Sequence, residues 1–325
     1  MSDSPGSGAA RPPEERPVAD RIVPRRRPGR WATALVLLVL LAMLGHTVVT
    51  NPRFQWATVG AYFLDGEILH GLELTLWLTA AVMATGYVLG IAVAAMRLSG
   101  NPVLSGLSFG FVWLMRSVPP LVQLLFWYEL ASLYPQLSLG VPFGHAFVTV
   151  RTAHLFSGLL AAYVGLSLDV AAFSSEIVRG GLLSVDRGQT EAAKALGLGR
   201  LWTFGRIVLP QAMPAIVPAS GNLLIGMLKA TSIVSVIAVQ DLLYSAQLIY
   251  NQNFQVIPLL LVATLWYVLL TTLLSIGQYA VERHFARGSR RHPGRGFRDV
   301  LRGNAPLLGR SLRGRSLRDQ PAGLS

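Results

Sequence analysis

An all-α bundle of membrane-spanning helices, a polytopic transmembrane domain, is the fold this sequence predicts, and three observations predict it. Of the 325 residues, 52% are hydrophobic and 14% charged, where an ordinary soluble domain carries about 25% charged residues. The apolar residues gather in blocks of about 20, enough at about 1.5 Å per residue to cross the ~30 Å hydrocarbon core. Strand-type alternation is absent, so the spans are helices rather than barrel strands. The chain has no cysteine, which removes disulfides, iron–sulfur clusters and thiolate metal sites.

Six spans follow, at roughly 31–50, 70–96, 107–131, 154–177, 212–238 and 257–281. The first, Trp31 to Val49, has a charged lead too long and an apolar stretch too extended for a signal peptide, so it reads as a retained span. Residues 1–30, rich in Pro, Gly and Arg, and the tail 287–325 are expected to be disordered. The outward loop Asn51–Leu69 carries Trp56, Tyr62 and Phe63, an expected interfacial belt. Gly86 and Gly90 in the second span, and Gly106 and Gly110 at the third, have the four-residue spacing that lets helix backbones approach. Pro119-Pro120 interrupts the third span and frees backbone groups within the bilayer. A second outward loop, Leu133 to Ala153, is punctuated by Pro135 and Pro142. Pro210, Pro214 and Pro218 are placed to start and bend the fifth span.

The net charge of +12 is topological. With the N-terminus inside, inner segments hold 24 of the 28 Lys/Arg: seven in the first 30 residues, Arg97, five from Arg179 to Arg206, and eleven after residue 282. Outer loops hold only Arg53 and Arg151. Basic residues stay on the side from which a chain is inserted, so both termini are expected in the cytoplasm of a prokaryotic cell membrane. Anionic lipid adds attraction. The tail from Arg283 to Arg318 has only Phe285 and Phe297 among its arginines, too few aromatics for a stacking nucleic-acid binder, so no nucleic-acid partner is expected.

Between the fourth and fifth spans, at 186–210, the chain reads Glu191-Ala192-Ala193, then Gly197, Ile207 and Leu209-Pro210. Asp186 and Gln189 have the spacing of a capping box. Ala192, Ala193, Ala195 and Leu196 favour helix with a thin face, Gly197 supplies a left-handed stop, and Trp202, Phe204 and Ile207 form an apolar set able to hold the element against the span ends. A surface helix of small residues without catalytic groups is a docking element. It resembles the EAA loop, the cytoplasmic coupling element of permease subunits in ATP-binding-cassette importers. The likeness widens to Glu176-Ile177-Val178-Arg179-Gly180, Gly188-Gln189, Ala195-Leu196-Gly197, Leu209-Pro210-Gln211-Ala212, Gly221-Asn222, Leu228-Lys229 and Arg116-Ser117-Val118-Pro119-Pro120-Leu121-Val122-Gln123, all similar to the polar amino-acid branch.

The resemblance covers roughly 68–283, implying a five-span importer permease core with one additional N-terminal span at 31–50. It implies ATP-driven import of an amino acid or similar small polar solute. The implied partners are separate ATPase subunits that bind ATP and Mg, a second permease subunit, identical or not, and an external solute-binding protein. The implied coupling residues are Gly188, Glu191, Ala192, Ala193, Gly197, Ile207, Leu209 and Pro210. Three departures concern the substrate: Asp169 stands where the family often has Asn, Ser117-Val118-Pro119 replaces Gly-Thr-Pro, and Ala230 replaces an Asp. This chain holds no phosphate-binding loop, since Lys194 and Lys229 are each followed by alanine. Gly106-Leu107-Ser108-Phe109-Gly110 matches a nucleophile elbow but opens a membrane helix without acid and histidine partners, so no enzyme is expected.

Arg116, Asp169 and Lys229 fall within spans, where an ionised residue costs about 2.5–3.5 kcal/mol on insertion scales. With Gln123 they are the substrate-path candidates. Arg116, beside the broken helix, can receive a carboxylate in a bidentate contact, and Asp169 an ammonium. Alternatively, these charges pair with each other or with backbone carbonyls and only hold the bundle together. The scattered histidines, including His46, His70, His145 and His154, suggest no metal site. Two other functions stay open, an ion-coupled secondary transporter using Asp169 and a membrane scaffold with lipid-binding tails, but neither explains Glu191–Pro210.

Overall fold

The computed structural model describes residues 28–140, 145–152 and 157–286. Residues 1–27 and 287–325 of the tails expected to be disordered, and His154, lie outside them, whereas 28–30 open the first helix. The chain divides into two units. The first contains α1 (Pro28–Thr50), whose apolar side chains are exposed from Leu35 to Val49. A helix apolar all round finds its solvent in lipid.

The second unit starts at Gln55. It contains α2 (Trp56–Tyr62), α3 (Gly66–Leu98), α4 (Pro102–Ser117), α5 (Pro120–Tyr128) and α6 (Leu130–Leu133). Strands β1 (Gln136–Gly140) and β2 (Ala146–Arg151) follow, then α7 (Gly158–Leu183), α8 (Arg187–Ala195) and α9 (Arg200–Thr203). A π turn (Phe204–Val208) leads into α10 (Leu209–Ala230), a 3-10 turn (Thr231–Ile237), α11 (Leu242–Asn253) and α12 (Val256–Ala286). Among the described residues five helices are long and apolar enough to cross a membrane, and α4 with α5, bent by 101°, is a sixth if counted as one span. Local signals start these helices. Asp65 accepts from Glu67 N–H, Asn101 from Val103 and Leu104 N–H ahead of Pro102, and Ser157 from Leu160 N–H.

The core lies where α3 crosses α7. A Cβ on Gly86 would stand 2.4 Å from Val170 Cγ1, and one on Gly90 2.0 Å from Ser174 Oγ. The Ser174 hydroxyl donates to the Gly86 carbonyl at 3.2 Å, so close approach and an interhelical hydrogen bond come together. Gly106 and Gly110 share the spacing but meet nothing within 4 Å, so the packing expected of both pairs holds for one. Around the crossing, Leu78, Val82, Leu124, Leu166, Val170 and Val234 form one buried cluster. A second joins Val59, Ile68, Leu72, Leu242, Leu259 and Val262.

Three further expectations change. The segment expected to be an outward loop contains an antiparallel hairpin, registered from Gln136↔Arg151 to Leu139↔Val148, with an irregularity at Gly140. Its β-branched and aromatic run Phe147-Val148-Thr149-Val150 suits a strand. Its base is closed by the Thr152 hydroxyl on the Tyr134 carbonyl and by Thr152 N–H on that of Pro135. Tyr62 and Phe63 are anchors rather than a belt: Phe63 stacks on Trp266 at 4.7 Å, Trp266 Nε1 donates to the Phe63 carbonyl, and Asn253 donates to the Tyr62 hydroxyl. The fifth span begins earlier than residue 212, because α9, the π turn and α10 form one helical run from Arg200.

Candidate functional site

The loop between α7 and α10 is built by its own residues. Asp186 Oδ1 accepts from Gly188 N–H at 2.8 Å and opens α8. The reciprocal half of the expected capping box is absent, because Gln189 Oε1 instead accepts from Gln211 Nε2 at 3.4 Å and ties α8 to α10. At the other end Gly197 adopts φ +71°. Its N–H donates to the Lys194 carbonyl, and Leu198 N–H donates to that of Ala193, a Schellman closure that only a left-handed residue allows. Ala193 is buried, whereas Glu191, Ala192 and Ala195 are exposed. Leu196 and Leu201 are 78% and 88% exposed. Of the expected apolar anchor Trp202 is exposed, Ile207 is half-buried beside buried Thr203, and the partly exposed Phe204 keeps one face on the bundle. Leu209 and Pro210 stand exposed in the first turn of α10. A rigidly capped helix that presents leucines to water is shaped for a protein partner.

The second region is the break between α4 and α5. Proline at 119 and 120 removes the amides that would bond the Met115 and Arg116 carbonyls. The Gln123 side chain turns back and repairs the break, its Nε2 donating to Met115 O at 2.7 Å and Val118 O at 2.8 Å. Two carbonyl partners fix that nitrogen's identity and leave Gln123 Oε1 buried without a partner. Gln123, read from sequence as a path residue, therefore braces the helix.

Asp169 and Arg116 flank this break. On α7, Gly165 packs against Trp127 of α5, Asp169 follows one turn later, and Phe173 one turn after that lies 5.2 Å from the Arg116 guanidinium. Arg116 is fourteen residues from the N-terminal end of α4 at Pro102, and Asp169 is fourteen from the C-terminal end of α7 at Leu183. Asp169 is 6% exposed, yet among the described residues no ion pair joins it to Arg116 or any other cation. The pair that does form among the described residues is Arg179 with Glu176 at 2.6 Å, toward the C-terminal end of α7. Arg97 lies over the Phe109 ring at 4.6 Å and donates to Ser105 O. Lys229 is elsewhere, exposed two residues before the 3-10 turn whose Ile237 carbonyl lies beside Gly158, the N-terminal end of α7. Sequence reasoning missed the Glu176–Arg179 pair, although its i, i+3 spacing on a helix was the available signal.

The family described as binding-protein-dependent transport system inner membrane component matches residues 86–287. The chain belongs to that family. It is 40% identical over 293 residues, 90% of this chain and 89% of the relative, to the arginine transport system permease protein ArgU of Corynebacterium glutamicum. It is 34% identical over 209 residues, 64% of this chain and 83% of the relative, to the nopaline transport system permease protein NocM of Agrobacterium fabrum. A crystal structure of an amino acid ABC transporter with histidines superposes at a TM-score of 0.58 with 29% identity, over 67% of this chain and 94% of that one. The inward-facing methionine ABC transporter MetNI shares the fold, at a TM-score of 0.52 and 20% identity over 68% and 97%. This chain is thus a membrane-spanning permease subunit of an ATP-binding-cassette importer, a multi-pass inner-membrane component. Nothing in these likenesses supports an ion-coupled transporter working through Asp169.

Proposed function

We propose that this permease passes an amino acid or closely related zwitterion, delivered by an external solute-binding protein, while a separate ATPase docked on Asp186–Pro210 binds ATP and Mg and supplies the energy. The capped helix α8 with Leu196 and Leu201 exposed beside it is the observation that carries the docking. Gly188, Glu191, Ala192, Gly197, Leu209 and Pro210 give that helix its shape and exits, and Ala193 and Ile207 seat it. Residues 68–283 form the importer core, a second permease subunit completes the pathway, and both termini are cytoplasmic, in keeping with the basic inner segments.

The substrate reading rests on Arg116 and Asp169. Opposite charges that flank one helix break and, among the described residues, form no ion pair complement an α-carboxylate and an α-ammonium. Similarity to arginine and nopaline permeases agrees, since both solutes carry those groups. Gln123 holds the break open for Arg116, and Lys229 stands toward the outer entry.

The test is uptake in proteoliposomes holding the permease, its ATPase and its binding protein. Transport is expected only with ATP on the ATPase side, and uptake on a proton or sodium gradient without the ATPase sinks the reading. Arg116→Gln and Asp169→Asn should each raise the solute concentration needed for half-maximal uptake while assembly persists. Two destabilised singles with a stable, transporting double would instead mean a structural pair.

A further inference from the structure

A half-open cleft of about 750 Å³ lies in the half of the bundle nearest the Asp186–Pro210 loop. Four helices and the π turn line it, through Ile91 of α3, Leu182 of α7, Phe204, Met213 of α10 and Gly277 of α12. Most of the lining lies in the halves of these helices nearest the loop, with Leu224 and Ile225 of α10 reaching past its middle, so with the loop on the cytoplasmic side most of the cleft lies at the depth of the inner leaflet. Its surface is almost wholly hydrocarbon. The wall hydroxyls of Tyr87 and Ser220 are buried and expose no surface to it. Apolar surface of this extent is unfavourable to leave against water. Water does not fill it, because a site without polar partners stays dry. The medium at that depth is acyl chain.

Charge at the rim selects among lipids. Arg206 is exposed on the π turn between Phe204 and Leu209, both on the wall, and Arg283 is exposed two residues beyond the lining Val281. Among the described residues neither arginine has an ion-pair partner, and the neighbouring acid, Glu282, accepts from Gln278 Nε2 at 2.6 Å. Two free cations at the headgroup end of an apolar cleft attract an anionic headgroup.

We infer that this cleft is a binding site for one acyl chain of an anionic inner-leaflet phospholipid, whose headgroup is held by Arg206 and Arg283. Because Phe204 and Leu209 belong to the return from the loop to the membrane, the bound chain also braces that return.

The test uses the full chain in nanodiscs of phosphatidylcholine doped with photoactivatable phosphatidylglycerol or photoactivatable phosphatidylcholine, each with the reactive group on the acyl chain. Labelled peptides are mapped by mass spectrometry. Labelling should concentrate on the α10 segment around Met213 and exceed that on the outer surface of α12 around Val268. Phosphatidylglycerol should label more strongly than phosphatidylcholine. Gly277→Phe fills the cleft, since a Cβ there meets nothing within 4 Å. It should cut cleft labelling several-fold with thermal stability kept. Arg206→Gln should reduce the phosphatidylglycerol preference about fivefold, the value of one basic residue at an anionic surface, while leaving chain labelling in place. Equal labelling of cleft and outer surface, or labelling unmoved by Gly277→Phe in a protein of unchanged melting temperature, overturns the site. Equal labelling by the two lipids overturns the headgroup assignment. A Met213 cross-link to a second copy of the chain in place of lipid overturns the lipid occupant.

Discussion

The loop Asp186–Pro210 and the break at Val118–Pro119 both interrupt helix, and their surroundings dictate opposite repairs. In the loop the ends of α8 face water. A carboxylate caps one end and a glycine at φ +71° closes the other, both contacts being local in sequence. At the break the chain bends by 101° within the membrane, where water cannot serve the freed carbonyls. A long side chain from the following helix must reach back, and Gln123 bonds both Met115 and Val118. The same chemical task therefore has a small energetic stake at the surface and a large one inside.

The largest effect should come from removing the buried repair. Gln123→Leu keeps the volume and strands two carbonyls, at about 1–3 kcal/mol for each unsatisfied buried group. Loss of most folded protein, or a melting temperature in detergent far below the parent's, is expected. A Gln123→Leu protein as stable as the parent would mean that the break repairs itself, and the contrast would fail.

This asymmetry explains what could be read in the sequence. The cap at Asp186, the stop at Gly197 and the break at Pro119 depend on residues within four positions, and all three are where local rules put them. The long-range facts escaped. Gln189 bonds Gln211, twenty-two residues away, instead of completing the capping box. Phe63 finds Trp266, and Gly165 finds Trp127. Asp169 and Arg116 were singled out by type, but their place on either side of one break, with Phe173 against Arg116, needed the packing of α7 on α4 and α5. The hairpin Gln136–Arg151 was hidden because Pro135 before its first strand and Pro142 between the two read as loop.

A second aspartate cap sharpens the contrast. Asp241 opens α11 by accepting from Tyr244 N–H at 2.8 Å, as Asp186 opens α8, but Asp241 is fully buried. Burial pushes its carboxyl up to about 6 from 3.8, against the opposing hydrogen bonds from the Tyr244 amide and the Tyr267 hydroxyl. A folded-state pKa above the unfolded value means that the protonated form is favoured on folding. That stabilisation is fully present below about pH 4 and is lost as pH rises through about 6. Over this window stability should fall by about 3 kcal/mol from this group. Asp241→Asn keeps an oxygen for the cap and should flatten that part of the pH–stability curve, read as melting temperature of variant minus parent from pH 4 to 7. An unchanged difference would show that the buried cap does not titrate in that range.

Gly197→Val tests the water-facing stop. A left-handed conformation costs a non-glycine residue about 1–2 kcal/mol, more for a β-branched one. A Cβ at this position meets nothing within 4 Å, so the cost is conformational. The melting temperature of the bundle should stay near the parent's, while ATPase association and transport fall. Gly197→Asn, which tolerates the left-handed region, should recover most of both. Full transport by the valine variant would remove the stop from the coupling argument.

The smallest effect is expected at Asp186, and its size is what the comparison turns on. Asp186→Ala removes one acceptor from the Gly188 amide, a cap worth about 1 kcal/mol. Water replaces the lost partner because Asp186 is exposed, so no buried group is stranded. The consequence should be confined to fraying of the first turn of α8, a helix of nine residues too short to hold itself together without its caps. Faster hydrogen exchange at Gly188 and Gln189, with exchange across α7 and α10 unchanged, is the expected signature, along with a modest loss of ATPase affinity. Asp186→Ser, another capping residue, should return the exchange rate toward the parent's. If the alanine change instead lowered the melting temperature of the whole bundle as much as Gln123→Leu does, surface and interior repairs would carry equal weight, and the medium around each break would no longer explain the difference.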